Sequence, residues 1–143
     1  LASRAEAQIV EDGGLITVGS TTYRLWGLVL PDRDTPWIGD WNAGRAAAKH
    51  LEQLTRGRAV DCEYRGKDSD GTTLALCRAD GRDIGADLVQ AGYAWSNGPQ
   101  SHEYVLDEGL AMSRFQGIHA RGCRVPAVLL NRPKVPPVTN APH

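Results

Sequence analysis

Hydrophobic and polar positions alternate with period two in the first thirty residues and again between residues 59 and 80. Three other segments carry a helical period, one between these regions and two after them. "QIVED" and "LITVGS" flank a Gly13-Gly14 turn, and "STT" leads into "YRLWGLVL" at 23–30. The β-branched and aromatic content and the short turns predict a three-stranded meander. Val60, Cys62 and Tyr64 alternate with Asp61, Glu63 and Arg65, as in a strand with one buried face. A "DSDG" turn at 68–71 and a second strand, "TTLALCRAD", complete a hairpin.

The helical segments carry their own stops. Asn42 caps "AGRAAAKHLEQLTRG", which Gly57 closes, and Ala47, Leu51 and Leu54 share one face. "IGADLVQA" at 84–91 predicts a short helix ending at Gly92. Ser101 is expected to cap a third, "HEYVLDEGLAMSRFQG", with Tyr104, Leu106, Leu110, Ala111 and Phe115 on its apolar side. Residues 31–42, "PDRDTPWIGDWN", read as a loop. Three strands, a helix, two strands and two helices suit a small α+β fold, mainly a β barrel: a five-stranded Greek-key OB-fold barrel with three helices. The expected division is a lead-in at 1–6, the domain at 7–125 and a proline-rich tail at 126–143.

One feature of the meander asks for an explanation. The strand "YRLWGLVLPD" places a charge, Arg24, in an apolar run and ends at Pro31-Asp32. A buried partner carboxylate, Asp32 or another, would hold such an arginine and tie the strand end to its loop.

Composition narrows the functional classes. The chain has 143 residues, 41% hydrophobic and 23% charged, and a formal net charge of −1. That length supports one domain with a core, and the charge gives no global pull toward nucleic acid or acidic lipid. No apolar run approaches the length of a membrane span. The four histidines and three cysteines lack zinc-site spacing. The chain starts at Leu1 rather than Met, which fits a cleaved signal peptide, a removed anchor or an artificial boundary.

Seven anchors then occur in one order: "DGGL" at 12–15, "RLWGLVLPD" at 24–32, "WNAG" at 41–44, "DSDGTTLALC" at 68–77, "GRDIGADLVQAGYA" at 81–94, "YVLDEGLA" at 104–111 and "GIH" at 117–119. The chain resembles the staphylococcal nuclease (thermonuclease) family over roughly residues 8–126. The resemblance implies the same barrel with three helices. It also implies where a metal-dependent phosphodiesterase site would lie. The family holds its metal, usually calcium, with the second acid of D-G-D, the acid of G-I-D and the next residue's carbonyl. These positions are Gly14, Val29 and Leu30 here. The arginine of the family's Y-G-R turn is Thr72, Arg24 matches the first catalytic arginine, and Asp32 stands in place of a glutamate. A hard cation needs several oxygen ligands, and a guanidinium neutralises phosphate charge in the transition state. The resemblance therefore predicts a vestigial site: Arg24 and Asp32 present, no calcium cofactor, no confident catalytic residue.

Exported members of the family often carry cysteines where Cys62 and Cys77 stand, and the two lie symmetrically about Ser69-Asp70. A disulfide there implies an oxidising compartment, the bacterial periplasm or the extracellular space. Two reduced core cysteines are the alternative, and Cys123 is left over. Trp37 and Trp41 fall in the loop that rims the family's pocket, as candidates to stack on a ligand or to pack the loop. Trp26 and Trp95 read as core. The tail holds five of the chain's eight prolines. It has little to bury and suits docking on another polypeptide, with Val128, Leu129 and Leu130 as anchor.

Three functions compete on this reading: a catalytically defective domain serving as a binding or assembly module of a larger complex, a divergent phosphodiesterase with altered metal use, and a non-catalytic nucleic-acid or saccharide binder.

Overall fold

The structure is a computed structural model and describes residues 3–5, 7–10, 14–31, 41–120, 123 and 125–138. Its strands are β1 (Ser3–Ala5), β2 (Ala7–Val10), β3 (Leu15–Val18), β4 (Thr21–Leu25), β5 (Leu28–Val29), β6 (Val60–Lys67), β7 (Thr73–Ala79), β8 (Arg82–Asp83) and β9 (Trp95–Ser96). The helices are α1 (Ala43–Thr55), α2 (Ile84–Gln90) and α3 (Val105–Ser113). Single 3-10 turns follow at Gly117–His119 and Ala127–Leu129. The fold is a mixed α+β arrangement, as the sequence pattern predicts.

The main sheet runs β1-β6-β7-β4-β3-β2, with β8 beside β7. All pairs are antiparallel except β4 with β7, which sets Arg24 opposite Leu74. β1 pairs with β6 and β2 pairs with β3, yet only residue 6 separates β1 from β2. The two ends of the strand order therefore belong to one interrupted segment. Counted that way, five strands carry the sheet. The residues expected as a lead-in contribute a strand to it.

The expected third strand breaks after Leu25. Gly27 adopts φ +82°, and Trp26 N bonds Ala75 O at 2.9 Å, so the chain turns before Leu28 and Val29 pair with β9. The kink makes room for Tyr104, which would lie 3.1 Å from a Cβ at position 27. Gly85 meets the same ring: a Cβ there would approach it to 2.8 Å. Tyr104 is 2% exposed, and its hydroxyl donates to the Asp83 carboxylate at 2.9–3.0 Å. Burial and that carboxylate push the phenol far above its ordinary range.

Two apolar cores result. One packs between the sheet and the helices α1 and α2, with Ile16, Val18, Leu25, Leu51, Val60, Ile84 and Leu88 fully or almost fully buried. Its sheet is cross-linked by the disulfide between Cys62 and Cys77, which face each other in the β6–β7 register. A cross-link closing a loop of this size stabilises by about 3 kcal/mol on the chain-entropy account. The second core joins Ala43, Trp95, Ile118 and Leu129, with Val29, Trp41 and Cys123 packed against it.

Two expectations change here. The first concerns α3. It begins at Val105, with Tyr104 rather than Ser101 at its N-terminus, and Leu106 and Phe115 are 74% and 73% exposed. The buried face is Tyr104, Glu108 and Ala111, with a carboxylate at its centre. The second concerns the tail, whose contacts were expected chiefly on another polypeptide. Its described part lies on its own domain. Leu129 is 1% exposed within the second core and Val135 is 6% exposed, while Val128 and Leu130 point outward. Val138 N bonds Gly109 O at 3.1 Å, and a Cβ at Gly109 would meet Pro136 O at 2.7 Å. Between these points, Arg132 makes a two-pronged pair with Glu108, both bonds 2.7 Å. Glu108 is 1% exposed and also accepts from Ser96 N and Ser96 Oγ at 2.6 and 3.1 Å.

Removing one partner of a buried, bidentate pair strands the other charge, at a cost of about 3–5 kcal/mol. Arg132→Ala is therefore expected to lower the unfolding free energy by about that amount, and deletion of 127–143 by at least as much, because it also removes Leu129. Lys134→Ala, on the exposed side of the same segment, should change it by less than about 0.5 kcal/mol. Urea denaturation of the three proteins checks the order. A truncated chain as stable as the whole one overturns it.

A pH dependence follows from two histidines. Burial holds His119 and His50 below the ordinary imidazole range, against the opposing pull of Glu108 and Asp87 respectively. A lowered folded pKa means the unfolded chain binds the proton more tightly, so stability is complete above the unfolded value of about 6.5 and falls below it. The melting temperature should drop as pH is taken from 8 to 5, and His119→Leu should flatten part of that slope. A constant melting temperature over the range contradicts the assignment.

Candidate functional site

Arg24 stands on β4, beside Leu15 on one side and Leu74 on the other. The parallel β4–β7 pairing brings the turn that precedes β7 next to it. Its Nε lies 3.1 Å from Asp68 Oδ2, an ion pair without hydrogen-bond alignment. Its second arm donates to Asp70 Oδ2 at 3.1 Å. The strand thus keeps its charge to anchor the 68–72 turn. Asp32, the other carboxylate considered, lies outside the described residues, as does Trp37.

The turn is internally built. Asp68 N donates to Thr72 O at 2.8 Å, Gly71 N to Asp68 O at 3.0 Å, and Thr72 N to Asp70 Oδ1 at 3.0 Å. Thr72 therefore serves the turn where the family pattern has an arginine. Its backbone and hydroxyl bonds, ahead of Arg24, hold the Asp70 carboxyl below its usual range.

Gly14 sits at φ +79°, with its carbonyl accepting from Leu25 N at 3.3 Å. A Cβ added there would be 2.9 Å from Leu30 Cδ1. Leu30 is 7% exposed and belongs to the main core. Val29, half-buried, pairs with Trp95 and packs on the second core. Hydrocarbon therefore fills the space beside Gly14, where the family pattern places carboxylates. Among the described residues, no group of three or more His, Cys, Asp or Glu side chains is placed to hold a metal.

A cavity of about 410 Å³ opens beside this pair. It is lined by Arg24 and Asp68, by the aliphatic Leu28, Val29 and Leu30, and by Asn97, Pro99 and Gln100. Pro126 and Val128 of the tail complete it. Gln100 Oε1 accepts from Gly27 N at 2.9 Å, fixing the loop after β9 to the kink after β4. Asn97 is 7% exposed, and its Oδ1 is buried and accepts no hydrogen bond.

The structure thus brings together Gly14, Arg24, Val29 and Leu30, with Thr72 at the foot of the same turn. Trp41 is elsewhere: it packs on the second core, 6.4 Å from the Tyr93 ring. Trp95 is core, whereas Trp26 is half-buried with the Arg65 guanidinium 5.3 Å from its ring centre. Sequence reasoning missed Asp68, Asp70, Asn97 and Gln100. For the two aspartates the signal was present in the acids of "DSDG". For Asn97 and Gln100 no signal distinguished them from ordinary loop residues.

A family model described as staphylococcal nuclease homologue matches residues 24–118. The chain belongs to that family. The match runs from the start of "RLWGLVLPD" into "GIH", and so spans every anchor but "DGGL", the last of them in part. No curated protein matches the chain.

Rebuilding one ligand position should meet resistance. Gly14→Asp puts a side chain at positive φ and against Leu30, and is expected to cost about 1–3 kcal/mol. A double-mutant cycle with Leu30→Ala should show favourable coupling, because the smaller residue relieves the contact. Denaturant midpoints of the four proteins check this; additive effects would mean that Leu30 does not fill the space.

Proposed function

We propose that this nuclease-family domain is a binding or assembly module that does not perform metal-dependent phosphodiester cleavage, and that it works as an accessory subunit. The observation that carries the reading is the packing of Leu30 against Gly14. A divalent cation held there would need oxygens, and the residues at 14, 29 and 30 offer aliphatic surface in their place. The residues do not fit calcium. The second support is electrostatic. Arg24 faces two carboxylates, so one guanidinium against two acids leaves one net negative charge where a phosphodiester would have to bind.

The same reading takes the interrupted first strand as the closing element of a five-stranded OB barrel, since β3 also approaches β1 and β6. The Cys62–Cys77 bond supports an exported protein, in the periplasm or outside the cell, where disulfides persist. No helix among the described residues is long and apolar enough to cross a membrane. A protein partner is proposed to contact the outward side of the tail, where Val128 and Leu130 are 64% and 70% exposed.

Calcium titration by calorimetry and cleavage of single- and double-stranded DNA test the proposal. The native protein should show no calcium heat and no calcium-dependent cleavage. Gly14→Asp, Val29→Asp, Leu30→Thr and Thr72→Arg, combined, should gain measurable calcium binding, whereas the set lacking Leu30→Thr should bind more weakly. Calcium-dependent cleavage by the native protein overturns the reading.

A further inference from the structure

We infer that His119 makes the tail a pH-sensitive strap: acid exchanges the partner of the buried Glu108 from Arg132 to a protonated His119, and the segment from Ala127 to Val138 lets go of the domain. The inference goes beyond the reading of the domain as a binding module and does not depend on it. Three observations lead to it. The first is an imidazole nitrogen without a partner. His119 ends the 3-10 turn at Gly117–His119, which packs on α3, and its Nε2 is buried with no hydrogen bond. A protonated ring carries a donor at both nitrogens. In the docked arrangement Nε2 would then be a charged, buried donor with no acceptor, which folding disfavours.

The second observation is what surrounds the ring. Ile118 and Leu129 share one core, so the tail packs against the residue next to His119. The titratable and charged groups facing it are Glu108 on α3, Arg132 on the tail, and Cys123 beside the same core. The end of α2 brings a carbonyl, Gly92 O, already taken by Ile118 N at 2.8 Å. Burial opposes a charge on His119 most strongly, Glu108 favours it and Arg132 repels it. The third observation is how the tail is fastened. Glu108 already accepts four hydrogen bonds, two of them from Arg132 at 2.7 Å. Release of the tail removes that cation and would strand the carboxylate, but a protonated His119 can take its place. Each arrangement then has one cation for the carboxylate, which makes two alternative states. The docked state holds the ring below its ordinary 6.5, and release lifts the burial and the repulsion. The proton therefore binds the released state more tightly, so docking is complete above that value and weakens as pH falls through it.

The test is amide hydrogen exchange of the full chain, followed by NMR and expressed as protection factors, which removes the intrinsic pH dependence of exchange. The Leu129 and Val138 amides bond Pro126 O and Gly109 O in the docked tail. Their protection should fall by about tenfold or more between pH 7.5 and pH 5, while the amides of β6 and β7 keep theirs. The His119 ring signal should titrate with the same midpoint. His119→Gln and His119→Leu should each hold the tail at pH 5, and His50→Gln should leave the response intact. In Arg132→Gln, Glu108 faces the ring without its competitor, and His119 should titrate about half a pH unit higher or more. Unchanged tail protection over this range overturns the inference, as does a response that survives in both His119 variants, which would place the proton on another group. Loss of protection in β6 and β7 at the same midpoint would mean unfolding of the whole domain and overturns it too. A His119 midpoint that does not rise in Arg132→Gln overturns the exchange of partners.

Discussion

The buried pair of Glu108 and Arg132 is the constraint on which the rest of the molecule depends. A carboxylate at 1% exposure in the middle of a helix face is costly unless every oxygen is engaged. Here Ser96 supplies two bonds and Arg132 two more. One contact therefore joins α3, β9 and the tail. It explains why a proline-rich segment with no hydrogen-bond ladder of its own lies against the domain, and why Leu129 can complete a core that Ala43, Trp95 and Ile118 leave open. It also reaches the cavity: Pro126 and Val128 stand six and four residues before Arg132, so the pair fixes one wall of the site.

That coupling changes what the tail is. Polyproline character suits a segment for docking because little entropy is lost on binding. The same economy favours docking on its own domain, and the intramolecular route has the advantage of effective concentration. The surface left for a partner is the outer side of this segment, Val128 and Leu130, which alternate with the buried Leu129. A partner would thus read a tail already held in place.

Much of the fold was legible in the sequence, and the reasons are local. Period-two alternation located β3, β6 and β7, and Asn42 and Gly57 bracketed α1, because these signals come from backbone geometry and burial on one face. The two strands with symmetrically placed cysteines revealed their register. The misreadings share a cause. The α3 face was assigned by apolarity, so Leu106 and Phe115 were chosen and Glu108 passed over. A charge becomes a core residue only through a partner, and Arg132 is 24 positions away. The tail was misread for the same reason. At the site, the need of Arg24 for a carboxylate was legible, but its partners were not. They follow from the parallel β4–β7 pairing, which brings distant segments together.

The family match and the cavity chemistry fit one physical account. The mixed sheet, its kink at Gly27 and the Tyr104–Asp83 bond are set by packing that makes no reference to a metal. Gly14 and Leu30 belong to that packing too: the leucine lies against the glycine where the family pattern would put oxygens. Exchanging carboxylates for hydrocarbon removes the charge that a cation would balance, and it removes the desolvation penalty of burying those carboxylates. Arg24 is paired with the turn acids Asp68 and Asp70. Two buried polar atoms of residues that line the cavity have no hydrogen-bond partner, the Nε of Arg24 and the Oδ1 of Asn97. The fold does not by itself decide what such a cavity recognises; the residues that line it do.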